Sequence, residues 1–130
     1  MLNFFKRIKE LSCQRINYLH NVNNRNFYNG PITYFDGIIS ELNEAKDEFK
    51  QDNSVYLEDE LGDVFWDYMC LLHSLEQKNM INPQKVFERC YKKFSERIGT
   101  DGTGNGNDWQ EIKQKQKQEL LQEHNLRYGA

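Results

Sequence analysis

A chain of 130 residues with 38% apolar and 28% charged side chains has the balance of one ordinary globular domain, expected to span residues 1–130 as a single unit. The net charge of −3, with Lys and Arg spread along the chain, excludes the basic footprint of a duplex nucleic-acid binder. An aromatic content of 13% exceeds what a core of this size absorbs, so part of that surface is expected to be covered when chains associate, as a homodimer or a dimer of dimers.

From Met1 to Glu10 charge interrupts the apolar residues every few positions, so neither a signal peptide nor a membrane-spanning segment is expected. Phe5, Ile8, Leu11 or Ser12, Ile16 and Leu19 recur at helical spacing and predict a first helix, followed by an Asn-rich loop from Asn21 to Asn29. After Pro31, Ile38, Leu42, Ala45 and Phe49 predict a second helix, closed by the polar stretch Gln51 to Ser54. Leu57, Leu61, Val64, Tyr68, Leu71 or Leu72 and Leu75 predict a third and longest helix, ending near Lys78. Asn82 and Pro83 form a start signal for a fourth, with Phe87, Cys90 or Tyr91, Phe94 and Ile98 on its apolar side. The segment Gly99 to Asn107 reads as a flexible linker or a mobile lid. It lacks the Lys-Ser/Thr ending of a phosphate-binding P-loop. Trp109, Ile112, Gln116 and Leu120 then predict a polar fifth helix over about 108–122. The fold class is therefore all-α, a bundle of four to five helices. Cys13, Cys70 and Cys90 are odd in number and each lies in an apolar helical pattern, which predicts buried thiols in a reducing compartment, the cytoplasm.

Two acidic rows stand out. Glu41, Glu44 and Glu48 occupy relative positions 0, 3 and 7 of the second helix, an arc of about 60° at 100° per residue, and Glu60, Asp63 and Asp67 repeat the spacing on the third. Each acid immediately precedes a residue of the apolar stripe: Leu42, Ala45 and Phe49 on one helix, Leu61, Val64 and Tyr68 on the other. Both rows thus lie to the same side of their own stripes. The short connection favours antiparallel packing, stripe against stripe, which brings both rows out on one edge of the pair. Carboxylates gathered this way either form a solvated acidic face or, because they repel one another, call for a cation. With no His or Cys nearby, the oxygen-only set suits Mg²⁺, with Mn²⁺ as a substitute, rather than zinc. On the fourth helix Lys85, Arg89, Lys93 and Arg97 form a basic ridge at i,i+4 spacing, either a solvated face or, at its C-terminal end, a grip for phosphate oxygens. Trp109 is either a core anchor or an aromatic surface that closes over a ligand.

Ser40-Glu-Leu-Asn-Glu44-Ala followed by Leu57-Glu-Asp-Glu60-Leu-Gly-Asp63-Val resembles the Glu-Glu-x-x-Glu and Glu-x-x-Asp signature of the MazG-like all-α nucleoside triphosphate pyrophosphohydrolases. The resemblance continues through Lys93-Phe-Ser-Glu-Arg97 and Trp109-Gln-Glu-Ile-Lys113. It implies metal-binding and catalytic roles for Glu41, Glu44, Glu60 and Asp63, and substrate contacts for Lys93, Arg97, Trp109 and Lys113. Ser40 stands where the family pattern has the first Glu of its pair. The implied activity is Mg²⁺-dependent hydrolysis of an NTP or dNTP to monophosphate and pyrophosphate, in the house-cleaning of non-canonical nucleotides. Related activities on phosphoribosyl-ATP, dUTP or dCTP share the same metal site. A helical module that binds nucleotides or partners without turnover is the reading from a different class.

Overall fold

A computed structural model describes residues 2–22, 27–104 and 106–129. Five helices follow in order: α1 (Leu2–Asn21), α2 (Pro31–Asp47), α3 (Ser54–Gln77), α4 (Pro83–Ile98) and α5 (Trp109–Tyr128). Among the described residues there is no strand, only an isolated bridge between Asn29 and Pro31. The all-α expectation is met. Part of the expected Asn-rich loop, residues 23–26, lies outside the described residues. The helices fall into two compact units, Met1–Pro83 and Gln84–Ala130.

In the first unit α2 begins where Gly30, at φ 72°, turns the chain into Pro31 at the first helical position. The Thr33 amide closes the first turn on the Gly30 carbonyl at 3.1 Å, and the Asn29 amide donates to Thr33 Oγ1 at 2.7 Å. The turn from α2 to α3 passes through Asp52 at φ 54°, a left-handed conformation that a short polar side chain tolerates. Asn53 ties the turn back, its Nδ2 donating to the Glu48 carbonyl at 2.9 Å and to Glu48 Oε2 at 2.6 Å. With so short a connection α3 returns antiparallel to α2. Phe5 meets Phe65 at 6.0 Å and Asn17 accepts a hydrogen bond from Gln77, so α1 runs parallel to α3. Ile16, Leu19, Tyr28, Tyr34, Cys70 and Leu71 form the core, with Ile38, Trp66 and Leu75 packed against it. Inside it the Tyr28 and Ser74 hydroxyls are hydrogen-bonded at 2.8 Å.

The inward faces differ from the expected stripes. On α2 the covered positions are Tyr34, Ile38, Glu41, Ala45 and Glu48, while Leu42 and Phe49 are 51% and 82% exposed. On α3, Glu60, Val64, Asp67 and Leu71 turn inward, while Leu61 and Tyr68 are exposed. Both helices carry apolar residues on two sides, and spacing alone does not say which side meets the neighbouring helix. The acids consequently sit on the seam itself, not 100° to one side of it. The thiols also depart from expectation. Cys70 is buried, but Cys13 is half-buried and Cys90 exposed, because the covered side of α4 runs through Val86, Phe87, Arg89, Lys93 and Arg97 instead.

In the second unit the described residues of the glycine-rich segment carry several hydrogen bonds. Gly99, Gly102, Gly104 and Gly106 all have positive φ, which a non-glycine residue rarely adopts. The Gly104 amide donates to the Ile98 carbonyl at 2.7 Å, and Asn107 Nδ2 donates to the carbonyls of Glu96 and Arg97 at 3.1 and 3.0 Å, closing the end of α4. Asp108 then caps α5 by accepting from the Glu111 amide at 3.1 Å. α5 continues to Tyr128, beyond the expected end near 122, and Gly129 closes it on the Asn125 carbonyl at 2.8 Å.

Ile16 has no solvent exposure, so Ile16→Ala is expected to lose about 2–5 kcal/mol of unfolding free energy in urea titrations. Tyr28→Phe, which removes the hydroxyl bonded to Ser74, should lose about 0.5–1.5 kcal/mol. Equal losses in the two variants would contradict this core.

Candidate metal centre

The α2–α3 seam is marked by three successive pairings: Tyr34 hydrogen-bonded to Cys70, Gly37 against Asp67, and Glu41 against Glu60 and Asp63. Glu41, Glu60 and Asp63 each present a carboxylate oxygen, and these oxygens all lie within 4.8 Å of one another. Glu41 and Glu60 are half-buried, and Oε2 of each is shut off from solvent without a hydrogen-bond partner. A buried anionic oxygen left unbonded is costly, and two of them facing a third carboxylate are more so. The donor set is all oxygen and anionic, with no His or Cys in the group, so it fits a hard divalent cation.

The electrostatics follow from the crowding. Desolvation, then the hydrogen bond and charge of Glu44, then Asp63 and Asp67, push the Glu41 carboxyl up to about 7. Glu60 is raised by desolvation and by Glu44, Asp63, Asp59 and Glu48. Asp67 is raised by desolvation and by Asp63.

Of the six acids in the two rows, three form the close group. Glu44 is exposed and adjoins it through Glu41. Glu48 is drawn instead into the turn by Asn53. Asp67 lies one turn beyond Asp63, and its Oδ2 would be 2.6 Å from a Cβ on Gly37, a close approach that the acid spacing did not reveal. Ser40 is exposed beside Glu41. Burial pushes the Cys70 thiol up to about 12, so it stays protonated and is no nucleophile near neutrality.

The other residues singled out in the sequence belong to the second unit. The basic ridge divides there. Lys85 pairs with Glu88 at 3.2 Å, and Arg89 holds Glu123 through both terminal nitrogens at 2.8 and 2.7 Å. Arg97 instead donates from Nε to Gln116 Oε1 at 2.9 Å and lies over the Phe94 ring at 5.8 Å. Among the described residues neither Arg97 nor Lys93 has an acidic side-chain partner. Trp109 is 42% exposed and is no core anchor; Nε1 of its ring would be 3.3 Å from a Cβ on Gly104, and Lys113 Nζ stands 5.9 Å from its centroid. Lys113 and Trp109 therefore form one cationic and aromatic pair at the start of α5.

The model of one protein family, described as the MazG nucleotide pyrophosphohydrolase domain, matches residues 29–99, more than half of the chain. The chain belongs to this family. No curated protein and no solved structure matches it. The MazG match takes in both acidic helices together with Lys93 and Arg97, and it ends before Trp109 and Lys113. MazG domains are typically metal-dependent, and the acidic group on α2 and α3 agrees with that. Among the described residues no helix is long and apolar enough to cross a membrane.

The raised Glu41 carboxyl gives this MazG chain a characteristic pH dependence. Its folded value of about 7 exceeds the ordinary 4.5, so the metal-free folded state holds this proton more tightly than the unfolded chain does. That contribution to stability is complete below about pH 4.5 and is lost as pH rises through 7. Melting curves of EDTA-treated protein should accordingly show Tm falling between about pH 5 and 8, with Mg²⁺ reversing the fall at the upper end and Glu41→Gln flattening it. A metal-free Tm that climbs across this window would contradict the geometry.

Proposed function

We propose that the chain is a magnesium-dependent pyrophosphohydrolase that cleaves a nucleoside or deoxynucleoside triphosphate to a monophosphate and pyrophosphate, clearing non-canonical nucleotides from the pool. The observation that carries this reading is the group of Glu41, Glu60 and Asp63, with two buried, unbonded carboxylate oxygens, in a chain of the MazG nucleotide pyrophosphohydrolase family.

In this reading Glu41, Glu60 and Asp63 hold the divalent ion, and Mn²⁺ would take the same ligands. When bound, the ion supplies Lewis-acid charge for phosphate oxygens and makes a coordinated water more acidic. The triphosphate carries close to four negative charges, so it meets this acidic group only in company with metal. Glu44, outside the close group and exposed, takes the proton of the attacking water at its carboxylate. Lys93 and Arg97 neutralise the departing pyrophosphate, Arg97 through its terminal nitrogens and Lys93 as a point charge. Trp109 offers its exposed face to the base, with Lys113 beside it. Water attacks at the α phosphorus, and no covalent intermediate is required.

Leu42, Phe49, Val55, Tyr56 and Leu61, left exposed by α2 and α3, support association as a homodimer or dimer of dimers. Light scattering that returned an active monomer at micromolar concentration would remove that part. The free thiols agree with a reducing compartment such as the cytoplasm.

Anion-exchange chromatography of a nucleoside triphosphate incubated with protein and Mg²⁺ should show monophosphate and pyrophosphate in equal amounts, with no early orthophosphate and nothing after EDTA. Glu60→Gln and Asp63→Asn, close in size to the residues they replace, should each lower kcat/KM by roughly a hundredfold or more while retaining helicity. Diphosphate and orthophosphate as first products would make the site a γ-phosphatase and overturn the reading.

A further inference from the structure

Gln116 lies on α5 at the helical spacing of Trp109, Ile112 and Leu120, in a stripe where an apolar residue is the ordinary choice. It is 7% exposed, the one buried residue of that helix. A buried amide is tolerated where its donors and acceptor are bonded, and here each is. Oε1 accepts from Arg97 Nε at 2.9 Å, and Nε2 donates to the Lys93 carbonyl at 3.1 Å and to Glu96 Oε1 at 2.9 Å. All three bonds reach the last two turns of α4, where the two cations without acidic partners stand.

Arg89, two turns earlier, makes the contrast. Its guanidinium is held by Glu123 through both terminal nitrogens, which orients it and cancels its charge together. Arg97 is held by a neutral amide at Nε and by the face of Phe94, and among the described residues no protein group engages its terminal nitrogens. A neutral acceptor fixes the plane of a guanidinium without neutralising it, leaving the paired N–H donors and the full charge for a bidentate anion. The neighbouring carboxylate is taken up elsewhere: Glu96 receives Gln116 Nε2 and pairs with Lys92 at 3.0 Å, and both interactions hold it below its ordinary value.

We infer that Gln116 is a positioning residue, whose buried amide orients the Arg97 guanidinium for a phosphate or pyrophosphate group while leaving its charge uncompensated. This rests on the proposed engagement of nucleotide phosphates by the α4–α5 unit and adds a residue that acts through Arg97 rather than by contact with substrate.

The test is a double-mutant cycle in the full chain, read by calorimetric titration of inorganic pyrophosphate with Mg²⁺ and by KM and kcat for a hydrolysed triphosphate. Gln116→Leu should weaken pyrophosphate binding and raise KM by about tenfold with Arg97 present, and by less than about twofold in an Arg97→Ala background. Gln116→Glu, which keeps an acceptor for Nε but brings a charge that cancels Arg97, should also weaken pyrophosphate binding. A merely structural role would not produce that result at unchanged Tm. Gln116→Met replaces Gln116→Leu if the latter does not fold. Equal losses with and without Arg97, or wild-type pyrophosphate affinity in Gln116→Glu, would overturn the inference. If pyrophosphate binding follows the cycle yet no triphosphate is hydrolysed by the unaltered protein, the positioning role stands and the proposed activity falls.

Discussion

The rest of the structure depends on carboxylates that face one another across the α2–α3 seam without a counter-charge among the described residues. Helix pairs of this size ordinarily close on apolar residues, and this one does so at its Tyr34, Ala45, Val64 and Leu71 positions. In the middle of the same seam stand Glu41, Glu60 and Asp63, crowded enough that the Glu41 carboxyl moves up to about 7. Such an arrangement opposes folding when all its members are ionised, and a cation bound there would reverse the sign of the local field. The short turn locked by Asn53 and Glu48 sets the antiparallel register that opposes these acids, and Gly37 leaves room for Asp67 against the α2 backbone. Fold and site share one cause here.

The α4–α5 unit handles charge in the opposite way. Most of the cations on α4 are satisfied internally: Arg89 by Glu123, Lys92 by Glu96 and Glu119, Lys85 by Glu88. Exposed pairs of this kind contribute little stability individually, but they remove competing positive charge from the surface. Lys93 and Arg97 are left apart from that pairing, and the bonded glycine segment closes the end of α4 next to Arg97 while bringing Trp109 against Gly104. The first unit thus gathers negative charge, while the C-terminal end of α4 in the second keeps two cations without acidic partners among the described residues.

Much of this was legible in the residues. Repeated 0, 3, 7 spacing of acids on two consecutive helices, with a short polar connection between them, points to the antiparallel pair and the candidate cluster. What spacing could not reveal was rotation. Leu42 and Phe49 keep the same rhythm as Ile38 and Ala45, and only the packing partner decides which set is covered. The third acid of the first row, Glu48, was equally placed by periodicity, yet a local amide, Asn53, captures it. Composition left the path of Gly99 to Asn107 open, because glycines that suggest slackness in a sequence also permit the positive φ angles of a capping turn. Gln116 was legible as a member of the α5 stripe, but a glutamine within a polar helix declares what it holds only through its partners.

The central claim, that the seam acids form a site for a divalent cation, is tested most directly by electron paramagnetic resonance of Mn²⁺. The six-line signal of the free ion is lost from solution as protein binds it. The account predicts saturable loss of that signal on titration with the unaltered chain, displacement of the bound ion by Mg²⁺, and little loss with Asp63→Asn at the same concentration. An undiminished free-ion signal with the unaltered chain, or equal binding by Asp63→Asn, would contradict it.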